Sequence, residues 1–361
     1  MKKLSKALLA VMLSAITAIS VFAFAACNNY DSDRHMVSIT DTVRDTVYVP
    51  LNPERVAVFS RAAADKLVAF GLGGRITGVF ETIPDNPWAH IIMPNLHRLY
   101  RYSYRTSLET YLEHNVCLIV APERHLAVEF RSLGIPSFTV AQFTSPNFDN
   151  DIFTFSNNIK RIWNDAETAR RVNLWQTQFN AVRDDIAYTL YGVEVTQSFY
   201  YVRGDRNRGL NHTKNSEASF HNTVGRLLRI DYVSRTAPTN QLTPEALIEK
   251  NPDFIVIGGA FSHQLMHEAF NDVRWQALSA VQNNNVFRIG VGFVAFEQQG
   301  VGWTVYLATM ANNIWPEKFN FDLEQMVIDL MRDFYELTIT AQDAQNMLDG
   351  RDKDGNPLVA I

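Results

Sequence analysis

The sequence predicts an α/β protein of two lobes, each built on a mainly parallel sheet, joined by one long bridging helix. Three observations carry this. Short β-branched runs alternate with helical stretches in both halves of the chain, the pattern of parallel strands with covered faces. A matching helix-to-strand unit begins at Ser107 in one half and at Thr243 in the other. Between them, apolar residues from Ile159 to Ile186 recur at helical spacing, with neither glycine nor proline over residues 151–190.

The chain opens with Lys2, Lys3 and Lys6, then an apolar run over 7–26 broken only by Ser14, Thr17 and Ser20. Ala25 and Ala26 precede Cys27, and polar residues follow. That order is the layout of a secretory leader. The cysteine resembles the lipobox of bacterial lipoproteins, in which the thiol is lipidated and the chain is cut ahead of it; Phe24 departs from the usual leucine. As an uncleaved segment the run is also long enough to span a bilayer. On either reading the remainder works outside the cytoplasm while tied to a membrane. The expected organisation is a signal peptide (1–26), a spacer with Cys27 lipidated (27–37), a first lobe (38–147), the bridging helix (148–191), a second lobe (192–349) and a tail (350–361).

In the first lobe, strands are expected at 55–59, 75–80, 116–120 and 135–140, with a helix over 62–70 that stops at the glycines of 71–74. In the second, strands are expected at 197–202, 254–257 and 285–289. The repeated unit aligns Glu109 with Glu245, Leu112 with Ile248, Glu113 with Glu249 and Asn115 with Asn251. Ser107 and Thr243 suit N-caps, Pro244 the first helical position, and the acids the positive helix end. Asn115 and Asn251 suit left-handed stops.

Apolar residues make up 47% of the chain, enough for a large core, and a net charge of −5 argues against a nucleic-acid binder. Beyond Cys27 the only cysteine is Cys117, which excludes an internal disulfide and a cysteine metal site in the mature chain. There is no Gly-x-Ser-x-Gly elbow and no His-Glu-x-x-His, so an extracytoplasmic hydrolase has no motif to rest on. Residues 352–355 resemble part of a calcium loop, but Gly350 and the lack of a terminal glutamate reduce them to an exposed turn.

Open α/β sheets bind ligands beyond the carboxyl ends of their strands. In the first half that rule selects Ser60, Arg61 and Glu81, the loop with Arg98, Tyr100, Tyr102 and Tyr104, and then Glu123 and Arg124. In the second it selects Arg203, Arg206, Arg208, His212, Lys214, Phe261, His263, Phe293, Phe296 and Glu297. Arginine forks suit carboxylates and stack on flat groups, and aromatics supply apolar walls. Such a lining fits an anionic, partly flat ligand. His263 and His267 share a helix face and with His212 or His221 form a possible metal set, against the plainer reading of surface or hydrogen-bonded histidines.

Several segments carry a family resemblance: residues 39–50 as an opening strand pair, Asn52-Pro-Glu-Arg-Val56, residues 67–74, Pro252-Asp-Phe-Ile-Val256, residues 275–283, Ile314-Trp-Pro-Glu-Lys-Phe319 and Phe334-Tyr-Glu-Leu-Thr338. Together they resemble the substrate-binding lipoproteins of bacterial ABC importers for ferric siderophores, haem, cobalamin and related metal complexes. Asn115-Val116 departs from the Pro-Asp common before the family's strand. The resemblance implies the class III periplasmic-binding-protein fold, no enzymatic activity, no cofactor, a monomer, and a metal chelate of the ferric siderophore or haem class in the inter-lobe cleft. Cobalamin, or a free or histidine-chelated metal such as nickel, is the alternative cargo; a hydrolase or a non-transport sensor is the alternative class. The implied partners are an ABC permease with its ATPase, docked by one acid from each lobe, Glu109 in the first and Glu217 as the expectation for the second.

Overall fold

The computed structural model describes residues 36–83, 86–140, 148–203, 209–259 and 262–358, with backbone alone at 148–152. The leader with Cys27, and Arg206, Arg208 and Phe261, lie outside the described residues.

The chain enters through an antiparallel hairpin, β1 (Met36–Thr40) and β2 (Thr46–Pro50). Asp41 closes its turn by accepting the Val43 and Asp45 amides, and takes the Thr139 amide at 3.0 Å, fixing the hairpin to the first sheet. That sheet contains β3 (Val56–Val58), β4 (Ile76–Phe80), β5 (Tyr100–Tyr102), β6 (Leu118–Ala121) and β7 (Ser137–Thr139). All pairings are parallel, in the order β5-β4-β3-β6-β7. The second sheet contains β8 (Ser198–Val202), β9 (Asp231–Tyr232), β10 (Phe254–Ile257) and β11 (Val286–Arg288), again all parallel, in the order β11-β10-β8-β9. Every residue of β3, β6 and β10 is buried, as expected of strands covered on both faces.

The helices of the first lobe are α1 (Arg61–Leu67), α2 (Pro87–Ile92), α3 (Leu108–Glu113) and α4 (Arg124–Ser132). The stretch expected to be one bridging helix is two, α5 (Phe148–Ile162) and α6 (Ala166–Thr189). The break has a local cause: Asp165 turns its carboxylate onto the Thr168 amide at 2.8 Å and so caps a new helix. Trp163 meanwhile donates its indole N–H to Pro53 O at 3.1 Å, docking the end of α5 on the first lobe. Helix α6 alone then leads to β8.

The second lobe adds α7 (Phe220–Leu227), α8 (Pro244–Lys250), α9 (Ser262–Asn271) and α10 (Ser279–Gln282). The chain closes with α11 (Trp303–Ile314), α12 (Leu323–Tyr335) and α13 (Ala341–Leu348). Helix α11 packs along α6, with Phe179 stacked on Trp303 at 5.7 Å, while α12 reaches the turn Val68–Leu72 of the first lobe. Among the described residues no helix is long and apolar enough to cross a membrane.

The repeated unit behaves alike in both lobes. Asn115 and Asn251 take the left-handed conformation, with φ of 50° and 39°. Thr243 caps α8 through the Ala246 amide, whereas the Ser107 hydroxyl lies against the Thr110 hydroxyl and makes no such backbone bond. Strands β5 and β9 were not anticipated. Each is an edge strand of three residues or fewer, too short for a period to register.

Candidate functional site

Strand order reverses between β3 and β6 in the first sheet and between β8 and β10 in the second. A crevice opens at such a switch point, beyond the carboxyl ends of the strands. Ser60 and Arg61 follow β3, Glu123 and Arg124 follow β6, Arg203 follows β8, and Gly258 and Gly259 follow β10.

Ser60 caps α1 by accepting the Ala63 amide at 3.2 Å, which aims the first helical residue, Arg61, out of the sheet end. Arg61 donates Nε to Thr82 O at 2.9 Å. Burial lowers its pKa, the charge of Arg203 lowers it further, and Glu297 opposes both. The charges of these two arginines, one from each lobe, thus oppose each other. Lys214 joins them: burial, then Arg203, bring its ammonium down to about 8.

Glu297 opposes the charge of Arg61 and is 1% exposed. Tyr201 donates its hydroxyl to Glu297 Oε1 at 3.3 Å, and the Gly259 amide also bonds the carboxylate. Burial raises its pKa to about 7 against the pull of these donors and of Arg61. A Cβ at Gly258 would lie 2.4 Å from the Tyr201 hydroxyl and 2.7 Å from Glu297 Oε1, so that pairing needs glycine there. Behind it, the fully buried His221 stacks on Tyr201 with ring centroids 3.6 Å apart; burial, Lys214 and Arg203 push its pKa well down, which keeps the imidazole neutral.

Glu297 supplies a direct prediction. The folded chain keeps its proton up to about pH 7, whereas an ordinary glutamate releases it near 4.5. The native state therefore binds more protons between these values, and this group's contribution to stability falls as pH rises through them. Glu297→Gln removes that slope. Urea midpoints at about pH 5 and about pH 7.5 should separate the variant from the parent increasingly in the variant's favour at the higher pH.

The other expected site residues are dispersed. Tyr102 is not a loop residue: it lies in β5, fully buried, stacked on Tyr111 and bonded to His114 Nδ1 at 3.0 Å. Tyr100 packs against His114, and Arg98 lies in the turn before β5 with Nε 3.3 Å from His97 Nε2; both are at the amino end of that strand, away from the crevice. Tyr104, just past β5, is exposed and packs on Phe80 with its hydroxyl near Glu123 and Glu81, at the mouth of the first lobe. Arg124 turns aside to form a two-pronged pair with Asp45, at 2.9 and 3.0 Å. Phe293 and Phe296 are buried, in the segment between β11 and α11, and present no open face to a ligand.

His263 and His267 share a face of α9, as their spacing predicts. His263 lies 2.9 Å from Arg288 Nη1, and His267 is exposed. His212 is buried beside the start of the Arg203 loop, its carbonyl accepting the Arg203 amide at 2.8 Å. Among the described residues no three His, Cys, Asp or Glu side chains come together as a metal site.

Glu109 and Glu245 occupy the same place in their lobes, in the first turns of α3 and α8. Each is exposed, and each carboxylate is held below its ordinary pKa by its own amide and by the preceding cap hydroxyl. Glu217 instead pairs with Arg235 at 3.4 Å and accepts Asn222 Nδ2 at 3.1 Å. Asp65 and Tyr201 go unnoticed in the sequence, and His221 is read there only as a possible metal ligand. A visible signal existed for the first, since Asp65 and Lys66 form the one charged pair inside the apolar stretch 62–70.

The architecture is that of the two-lobed periplasmic solute-binding proteins. A periplasmic solute-binding protein from Veillonella parvula superposes with a TM-score of 0.68 at 13% identity, over 87% of this chain and 97% of its own. An ABC-transporter solute-binding protein from Sulfurospirillum deleyianum gives 0.70 at 14%, over 86% and 99%. The molybdate periplasmic binding protein MolA of Haemophilus influenzae gives 0.69 at 16%, over 84% and 99%. At these identities the likeness is one of fold. No protein-family model and no curated protein sequence matches the chain.

Proposed function

We propose that this chain is the extracytoplasmic substrate-binding component of an ABC importer, anchored through a lipid on Cys27, and that it holds an anionic metal chelate of the ferric siderophore or haem class between its lobes. The support for the reading is that Arg61 and Arg203, which follow the switch-point strands of the two lobes, act on each other's charge together with Lys214, beside a buried carboxyl raised to about 7. Cations held against one another and partly desolvated gain most from an anion placed between them. The exposed Tyr104 ring at the first lobe's mouth adds a face for a flat chelate.

Similar folds carry varied cargo by their own descriptions: molybdate, a nickel–histidine complex, and vitamin B12. Isothermal titration with ferric hydroxamates, ferric catecholates, haem, cobalamin, nickel–histidine and molybdate decides among them. Tight binding of an iron chelate supports the proposal. Binding of nickel–histidine or cobalamin alone sinks the iron reading, and binding of nothing in the panel sinks the chelate reading altogether.

Docking on the permease falls to Glu109 and, from the equivalence of the two helix starts, to Glu245 in place of Glu217. In proteoliposomes, Glu109→Ala with Glu245→Ala should abolish stimulation of the transporter's ATPase while chelate affinity stays unchanged. Full stimulation by that double variant would exclude this docking pair.

A further inference from the structure

We propose that Asp65 is a positioning residue, fixing the segment that carries Glu297 against Arg61. Arg61 and Asp65 are four residues apart on α1 and so share one helix face. Asp65 Oδ2 accepts the Val301 amide at 2.7 Å, and Oδ1 takes the Tyr335 hydroxyl at 2.5 Å. The carbonyl of Val301 accepts the Trp175 indole N–H at 3.1 Å. Both backbone polar groups of a residue just past Glu297 are thus held, one by α1 and one by α6.

Upstream, the Phe293 carbonyl accepts Asn86 Nδ2 at 3.1 Å, so the segment is pinned to the first lobe at both ends. Between these ends Glu297 reaches Tyr201 and Gly259 of the second lobe. The close approach is built into the sequence, since a Cβ at Gly300 would lie 2.1 Å from Asp65 Oδ2. Asp65 is itself wholly buried, its pKa raised to about 6 by that burial against Tyr335, Val301 and Lys66. One rigid turn of helix therefore sets the separation of Arg61 from Glu297. The groups that face Glu297 are Arg61 from α1, Tyr201 from β8, the Gly259 amide after β10 and Tyr306 from α11; of these, Arg61 is the one Asp65 holds in register.

The inference rests on reading the cleft as the ligand site, but its test reads the ionisation of Glu297 rather than ligand binding, so either can fail alone. Carboxyl carbons of glutamate are labelled with 13C in the full chain, the Glu297 signal is assigned by its loss in Glu297→Gln, and its midpoint is followed by NMR. Asp65→Ala frees the segment, relieves the burial that chiefly raises the Glu297 midpoint and should lower that midpoint by about one pH unit toward the ordinary glutamate value. Asp65→Asn retains an acceptor for Val301 and a donor for Tyr335 and should leave it in place. Gly300→Ala, which pushes the backbone off Asp65, should follow the alanine variant. A folded Asp65→Ala with an unmoved midpoint, or an Asp65→Asn that shifts as far as the alanine variant, overturns the proposal. Should Asp65→Ala fail to fold, an unmoved midpoint in Gly300→Ala does the same.

Discussion

Arg61→Met combined with Arg203→Met is expected to weaken binding of the chelate retained in the titration panel by at least about 100-fold. Truncating one partner of a desolvated charge pair costs about 2 kcal/mol or more, and each 1.4 kcal/mol is about tenfold in affinity. The two arginines act from opposite lobes on a common space, so the single variants should each lose about 30-fold, and their effects should be less than additive. Methionine keeps most of the aliphatic bulk, and among the described residues the hydrogen bond lost at position 61 is the one to Thr82 O on an exposed loop. The wild-type affinity should fall with added salt and the double variant's should be nearly indifferent to it. A double variant that binds as tightly as its parent would remove the arginines from the site.

The second large effect concerns the fold. Trp175→Ala should lower stability by about 3–5 kcal/mol, a large share of the 5–15 kcal/mol typical of a domain. Trp175 is fully buried in α6, packed at ring-centroid distances of 6.2 Å from Phe70, 5.9 Å from Phe153 and 5.6 Å from Phe179. It also carries two polar duties. Its N–H holds Val301 O, and its face receives the Lys66 ammonium at 4.2 Å. Lys66 is wholly buried and its pKa is brought down to about 7, burial outweighing the nearby Asp65. With the ring gone, that ammonium loses the nearer of its two cation–π partners, Phe155 at 6.0 Å being the other, in a site water cannot readily fill. Trp175→Phe should recover part of the loss, since phenylalanine restores the face but not the indole N–H. Chemical denaturation of the three proteins checks this, and an alanine variant within about 1 kcal/mol of the parent would show that the connecting helix does not organise the core.

Both effects meet in the segment from Phe293 to Val301. It follows the last strand of the second sheet, carries the buried Phe293, Phe296 and Glu297, and leads into α11. Phe293, Phe296 and Glu297 were legible as residues beyond a strand end, but their burial was not. Nothing local distinguishes a phenylalanine that lines a cleft from one that supports it, because both satisfy an apolar pattern. Tyr102 shows the same limit. Its neighbours Arg98 to Tyr104 read as a loop, and only pairing with β4 reveals a short strand that turns the ring into the core. The reading of one unbroken bridging helix failed for a different reason. Periodicity runs straight through Trp163 and Asp165, while the cap that breaks it depends on which backbone amide the carboxylate finds.

The sequence by itself determined the alternation of strand and helix, the doubled unit around Ser107 and Thr243, its left-handed stops at Asn115 and Asn251, and the set of loops that could meet a ligand. These are local matters: they follow from period, caps and backbone preference within a few residues. Tertiary structure alone decided which loop residues converge. It let the charges of Arg61, Arg203 and Glu297 act on one another, tied Asp65 to Val301, and sent Arg98, Tyr100 and Arg124 to other partners. Such meetings join residues far apart in the chain, and their geometry is set by the strand order and the return path of the backbone, which no short window of sequence contains.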